Sequence, residues 1–139
     1  MSASPDAPRH SFEALFDSSI VPMRSFDADE TILRANRTEL EFLGYARDEY
    51  VGRNIAAFHE EPASAADMIA RLARGDRLVK LPVRLRAKDG SLRRVLTSAT
   101  AQFLDGRLAA IYCVGWDAAA EADAEALDQS QPEPVAARG

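Results

Sequence analysis

The amino-acid sequence predicts an α+β domain with a five-stranded antiparallel sheet, short helices on one face and a flanking N-terminal helix. Three observations predict this arrangement. Two short apolar stretches come first, several short helical stretches follow, and three long apolar or alternating stretches come last. Because strands lie at both ends of a run of helices, we expect the helices to pack together on one face of the sheet.

Composition and charge limit the possible functions. The chain has 139 residues, of which 47% are hydrophobic and 28% charged, as in one ordinary globular domain. The net charge of −5 argues against nucleic acid and anionic membranes as main partners, since both are bound by basic surfaces. The single cysteine, Cys113, lies in an apolar run, and we interpret it as a small buried hydrophobic residue. No stretch is long enough to span a bilayer and no signal peptide is apparent, so we expect a cytoplasmic protein.

The first elements follow from local patterns. Residues 1–10 are polar and contain proline, which predicts a disordered lead. Ser11 is a candidate cap for a short helix whose apolar stripe is Phe12, Leu15 and Phe16. Strands are then predicted at 20–26 and 30–34, joined by a turn at 27–29.

The middle of the chain predicts four helical segments. They cover 35–43, 47–51, 54–59 and 63–74, and glycines at 44, 52 and 75 end three of them.

The last part of the chain predicts three long strands, at 77–87, 91–104 and 107–116. Two Asp-Gly pairs between these strands predict hairpin turns. We therefore expect the domain to cover 11–117, followed at 118–139 by an acidic, alanine-rich helix and a disordered tail.

Several motifs in this order resemble those of a known family. They are the strand-turn-strand FDADETILRAN, the helix NRTELEFLGY, the turn RDEYVGRN, the hairpin RLRAKDGSLRRV and the last strand LAAIYCVGWD. Together they resemble a PAS domain of the type found as input to bacterial histidine kinases. The resemblance implies roles for Asn36 at the start of the first internal helix, Gly44-Tyr45 at its end, and Asp117 at the end of the last strand.

The resemblance raises the question of a bound chromophore. In the LOV branch of the family, a cysteine in a string similar to Gly52-Arg53-Asn54-Ile55 forms a flavin adduct. Here that position is Ile55, and the glutamine that contacts flavin from the last strand is replaced by Gly115. We therefore expect neither a LOV photocycle nor another covalent chromophore.

Haem or another small ligand is the alternative. Haem-binding PAS sensors use a histidine from the helical segment as axial ligand, and His59 lies in that segment, followed by Glu60, Glu61 and Pro62. This polar sequence favours a structural or solvent-facing His59 in a loop. Arg84 and Arg86 alternate along a strand and indicate its solvated face rather than partners for haem propionates. The predicted pocket residues are Ile55, Phe58, His59, Met68, Leu72, Val83, Tyr112 and Val114.

The sequence contains no nucleotide-binding loop, metal-ligand cluster or catalytic set, so we expect no enzyme. We expect instead a stand-alone signalling and protein-interaction module that modulates a histidine kinase or another two-component protein. An excised input domain is the other possibility. The family implies homodimerisation through the N-terminal helix, with Phe12, Leu15 and Phe16 as contacts unless they cover the protein's own sheet. Signal output is expected at Trp116 and Asp117.

Overall fold

The five strands form one antiparallel sheet in the order β2-β1-β5-β4-β3. The computed structural model describes residues 12–118. Its strands are β1 (Met23–Phe26), β2 (Ile32–Ala35), β3 (Leu78–Arg86), β4 (Leu92–Leu104) and β5 (Arg107–Asp117). Its helices are α1 (Phe12–Ser18), α2 (Arg37–Leu43), α3 (Arg47–Tyr50), a 3-10 helix (Ile55–Phe58) and α4 (Ala63–Ala73). The predicted α+β class and strand number are confirmed. The predicted lead at 1–10, the Ser11 cap and the tail from 119 onward lie outside the described residues.

The two N-terminal strands are shorter than predicted. Strand β1 begins only at Met23, because Pro22 has no N–H group to donate to a neighbouring strand. Strand β2 extends to Ala35, which pairs with Arg24 and was predicted to be helical. The turn between the strands forms because the Asp27 carboxylate accepts hydrogen bonds from the backbone N–H groups of Asp29 and Thr31.

Helix α2 has well-defined ends. The Oδ1 atom of Asn36 accepts the N–H of Glu39 at 2.9 Å, which caps the first turn. Gly44 ends the helix with φ +86°, a left-handed conformation that glycine adopts at little cost. The predicted helix at 54–59 is a single 3-10 turn, Ile55–Phe58, capped by Asn54.

The long strands match the predicted pattern closely. The β4–β5 turn uses Asp105 and Gly106, both with positive φ, as the Asp-Gly signal predicts. In β3 the side chains of Val83 and Leu85 are buried, whereas Arg84 and Arg86 are exposed, as expected for alternating strand positions.

The helices from α2 to α4 cover one face of the sheet, which we call the inner face; the opposite face is the outer face. The core lies between the inner face and these helices, and includes Phe26, Tyr50, Met68 and Ile111. The N-terminal helix α1 is held close to the start of α2. The Asp17 carboxylate accepts the backbone N–H of Arg37 at 3.0 Å.

Candidate functional site

A buried polar cluster lies within the core, at the inner face. Arg24 points inward from β1 and is 1% exposed. Its Nη1 atom lies 3.4 Å from Oε2 of Glu39, which is equally buried in α2. The hydroxyl of Tyr50 donates to the same carboxylate oxygen at 2.6 Å. Glu39 therefore joins a strand and two helices inside the protein.

The cluster is strongly coupled electrostatically. Burial is the largest single effect and lowers the pKa of Arg24, but the attraction of Glu39, with smaller contributions from Cys113 and Tyr50, raises the pKa overall. Burial, followed by the negative charge of Glu39, raises the pKa of Tyr50 well above its usual value. Burial also raises the pKa of the neighbouring Cys113 thiol to about 11. At neutral pH the arginine is thus charged, while the phenol and the thiol are protonated.

Aromatic rings fill the space beside this cluster. Tyr50 stacks on Tyr45 with their ring centroids 5.7 Å apart. Phe58 meets Tyr50 edge to face at 4.8 Å. Such contacts fix ring orientation, and they hold the Tyr50 hydroxyl toward Glu39.

His59 is buried, which agrees with the structural alternative and shows that the solvent-facing alternative is wrong. Its backbone forms an isolated β-bridge with Leu85 at the edge of the sheet, and its ring points into the core. The Nδ1 atom lies within hydrogen-bonding distance of the Ser64 hydroxyl in α4. The Nε2 atom has no hydrogen-bond partner among the described residues. Burial, and next the charge of Arg24, lowers the pKa of His59 to about 3, so the imidazole is neutral at physiological pH.

The predicted pocket residues lie in two separate groups. Six of them belong to the core: Ile55, Phe58, His59, Met68, Leu72 and Val83. Tyr112 and Val114 lie on the outer face instead, because the residue between them, Cys113, points into the core. The eight residues therefore do not form one pocket.

Haem does not fit the interior around His59. The neutral imidazole is a suitable ligand, but the fully buried side chains of Tyr50, Ile55 and Met68 occupy the core beneath the helices. At Gly115 there is no room for the glutamine that contacts flavin in LOV domains. A Cβ atom at this position would lie 2.7 Å from Cγ1 of Val95, so no larger side chain fits there without a shift.

The N-terminal helix packs on the outer face. Phe16 is buried and its ring lies 4.9 Å from the guanidinium carbon of Arg34, so it covers this chain's own sheet and is not available as a dimer contact. Leu15 is 65% exposed. The side chain of Phe12 lies outside the described part of the chain. A groove of about 450 Å³ runs between Phe16 and the outer-face residues Tyr112 and Val114.

The predicted output residues end the last strand. Trp116 pairs with Leu96 and is 37% exposed, and Asp117 pairs with Val95. Both lie at the point where β5 leaves the sheet.

Sequence reasoning missed four residues whose polar groups are buried: Arg24, Glu39, Tyr50 and, in β4, Thr97. One signal for Arg24 was available, since it lies two residues before Phe26 and therefore shares its face of the strand. No comparable signal marks Glu39, which looks like an ordinary acidic residue in the first turn of a helix.

No helix within residues 12–118 is long and apolar enough to cross a membrane. In the same range, no group of three or more His, Cys, Asp or Glu side chains is arranged to hold a metal ion.

Comparisons with known proteins identify the family. The PAS domain of an HTR-like protein from Haloarcula marismortui is 26% identical, with a TM-score of 0.66 over 76% of this chain and 87% of that chain. A domain of a sensory box sensor histidine kinase/response regulator from Geobacter sulfurreducens is 25% identical, with a TM-score of 0.65 over 76% of this chain and 90% of that one. The LOV protein of Rhodobacter sphaeroides, at 18% identity and a TM-score of 0.64 over 75% and 62%, shares the fold. No curated protein matches the sequence. A family model described as the PAS fold matches residues 16–123, and the chain therefore belongs to the PAS family.

Proposed function

We propose that this PAS domain is a cytoplasmic signalling and protein-interaction module of a bacterial two-component pathway. It forms a homodimer and modulates a histidine kinase or another two-component protein, without a covalent chromophore and without enzymatic activity. Nucleic acid and membranes are not its partners, in keeping with its net charge of −5. The likeness to a domain of a sensor histidine kinase/response regulator supports the choice of pathway.

One observation carries the proposal, namely the apolar character of the outer face. Tyr112 and Val114 are only half-buried there, Trp116 is more exposed, and α1, which packs on this face through Phe16, leaves Leu15 65% exposed. Apolar residues that gather on an exposed surface indicate a contact with another protein. A second copy of the chain that contributes the same surface would bury both patches around a twofold axis.

Sedimentation equilibrium tests this interface with a matched pair of variants. Leu15→Glu places a charge in the proposed contact and should weaken the dimer by at least about tenfold, since a buried unpaired charge opposes association. Leu104→Glu makes the same change at the tip of the β4–β5 hairpin, where Leu104 is 60% exposed. It should leave the dimer intact. Equal effects of the two substitutions would contradict the proposed interface.

Signal output is proposed to leave through Trp116 and Asp117 into the segment that follows. A change in the packing of the long strands would move this junction because β5 pairs along nearly all of its length with β4. Asp117→Ala should uncouple the domain from its partner while leaving the dimer unchanged. An Asp117→Ala protein that signals normally in cells would count against this route.

A second candidate function is a sensor that binds a small ligand in the interior near His59. The buried Nε2 atom, which has no partner among residues 12–118, favours this candidate. Mass spectrometry of the native purified protein would detect such a ligand, and its loss in His59→Ala would identify the histidine as part of the site.

A further inference from the structure

Arg24 carries hydrogen-bond donors that the described protein does not satisfy. A guanidinium has five N–H donors, and Nη1 of Arg24 points to Glu39. The Nε and Nη2 atoms are buried and have no acceptor among residues 12–118. These two atoms share one edge of the planar group, which can donate two parallel hydrogen bonds to a single partner. A buried charged group with an unused donor edge is rare in folded proteins, and a bound molecule, ion or water at that edge would satisfy it.

Two further buried polar atoms are unpartnered on the same side of the sheet. They are Nε2 of His59 and Oγ1 of Thr97. Thr97 points to the inner face from β4, and its side chain is fully buried. His59 is near enough to Arg24 that the positive charge lowers its pKa. The core therefore holds donors from Arg24 together with a hydroxyl and a ring nitrogen that can each complete a hydrogen bond.

The charge of the cluster restricts the class of ligand. Arg24 is already neutralised by Glu39, whose carboxylate is fully buried at its side. A second anion would therefore leave an uncompensated negative charge in the core, which is strongly unfavourable. An uncharged oxygen acceptor satisfies the arginine without this cost.

We propose that the Nε–Nη2 edge of Arg24 binds the carbonyl oxygen of a small uncharged polar molecule inside the domain. Thr97 and His59 complete the polar surroundings of the ligand. This inference rests on the second candidate function, interior ligand binding, and is independent of the proposed dimer.

The contacts around Arg24 also connect this site to α1. The Glu39 partner of Arg24 donates its backbone N–H to Oδ1 of Asn36. The side-chain Nδ2 of Asn36 donates to the carbonyl of Phe16 in α1 at 2.9 Å. A ligand that moves Arg24 and Glu39 thus acts on the helix end that holds α1 against the outer face.

An NMR titration with two probes of nearly equal shape tests the proposal. Acetamide is uncharged and presents a carbonyl oxygen, whereas acetate carries a negative charge. Acetamide should shift the Nε–H signal of Arg24 and the backbone amide signals of His59 and Thr97 in a saturable manner, and acetate should bind at least about tenfold more weakly. The double variant Arg24→Met/Glu39→Gln removes both charges together, so that neither is left buried alone, and should abolish the response of the His59 and Thr97 amides. Arg77→Met, at an exposed position, should leave it unchanged.

The titration of the unmodified protein tests whether Arg24 binds an uncharged carbonyl oxygen, and this test does not require the double variant to fold. If neither probe moves the Arg24 signal, or if acetate binds as well as acetamide, the proposal is wrong. A response that persists in the folded double variant would also overturn it. If acetamide still binds to the folded double variant and His59→Gln removes this binding, the domain does bind a ligand in its interior, but Arg24 is not the residue that holds it.

Discussion

Asn36 offers the sharpest test of how the fold is held together. Its buried side chain makes four hydrogen bonds that connect three parts of the chain. Oδ1 accepts the N–H groups of Glu39 and Met23, and Nδ2 donates to the carbonyls of Phe16 and Val21. All four distances lie between 2.9 and 3.0 Å. Asn36 is therefore both the cap of α2 and the attachment point of α1.

The cost of removing this side chain can be estimated from these contacts. Loss of the helix cap in Asn36→Ala costs about 1 kcal/mol. The three other hydrogen bonds contribute roughly 0.5–1.5 kcal/mol each, and their effects are not fully additive. The free energy of unfolding should therefore fall by about 3 kcal/mol. For a domain of this size, that corresponds to a decrease in Tm of roughly 10 °C.

Urea denaturation followed by circular dichroism measures the effect, with two comparison variants. Asn54→Ala removes a cap that makes one hydrogen bond, to Ala56 N–H, at an exposed position, and should cost only about 1 kcal/mol. Asn36→Asp keeps the capping oxygen but replaces the donor to Phe16 and Val21, so it should also destabilise the domain. If Asn36→Asp is as stable as the unmodified protein, the side chain is only a helix cap and the reasoning is refuted.

Three other predictions follow from the core. The pKa of His59 is about 3 in the folded protein and about 6.5 when unfolded, so its contribution to stability is present above pH 6.5 and lost as the pH falls toward 3. In urea denaturation, the stability of His59→Gln should therefore depend less on pH in this range than that of the unmodified protein, and an unchanged dependence would contradict the burial argument. Gly115→Ala should lower the free energy of unfolding by about 1–3 kcal/mol, because the added Cβ atom would collide with Val95. If this contact is the cause, thermal melts should show that Gly115→Ala/Val95→Ala is destabilised by less than the sum of the two single substitutions. In an alkaline titration followed by ultraviolet absorbance, the phenol of Tyr50 should ionise only when the protein unfolds, and Tyr50→Phe should remove this late change in absorbance. Ionisation of all three tyrosines before unfolding would show that the Tyr50 ring is accessible.

The order of the strands and helices could be predicted because each element has a clear local pattern. Alternation in β3 marks Val83 and Leu85 as buried, and the Asp-Gly turns fix the ends of the hairpins. The short strand β1 was predicted too long, since the pattern of apolar residues does not show where hydrogen bonding with β5 begins. That boundary depends on the register that pairs Met23 with Val114.

The site was harder to predict because it depends on which face each side chain occupies. Strand β5 is apolar almost throughout, so its sequence does not show whether Tyr112 or Cys113 points into the core. The pairing of Cys113 with Arg24 settles this question, and it is a long-range contact. The burial of Arg24 likewise depends on Glu39, which approaches from a helix and cannot be recognised as its partner from local sequence. Strand alternation places Arg24 on the same face as Phe26, but its buried partner is visible only after the fold is known.

Native mass spectrometry of the purified protein, with its absorption spectrum recorded beside it, distinguishes a dimer without a chromophore from the alternatives. We expect twice the mass of the chain and no flavin or haem band in the visible region. A small uncharged adduct would agree with the Arg24 site and leave the dimer unaffected. A monomer, or a protein that carries haem or flavin, would contradict the proposal of a dimeric module that signals through protein contacts without a chromophore.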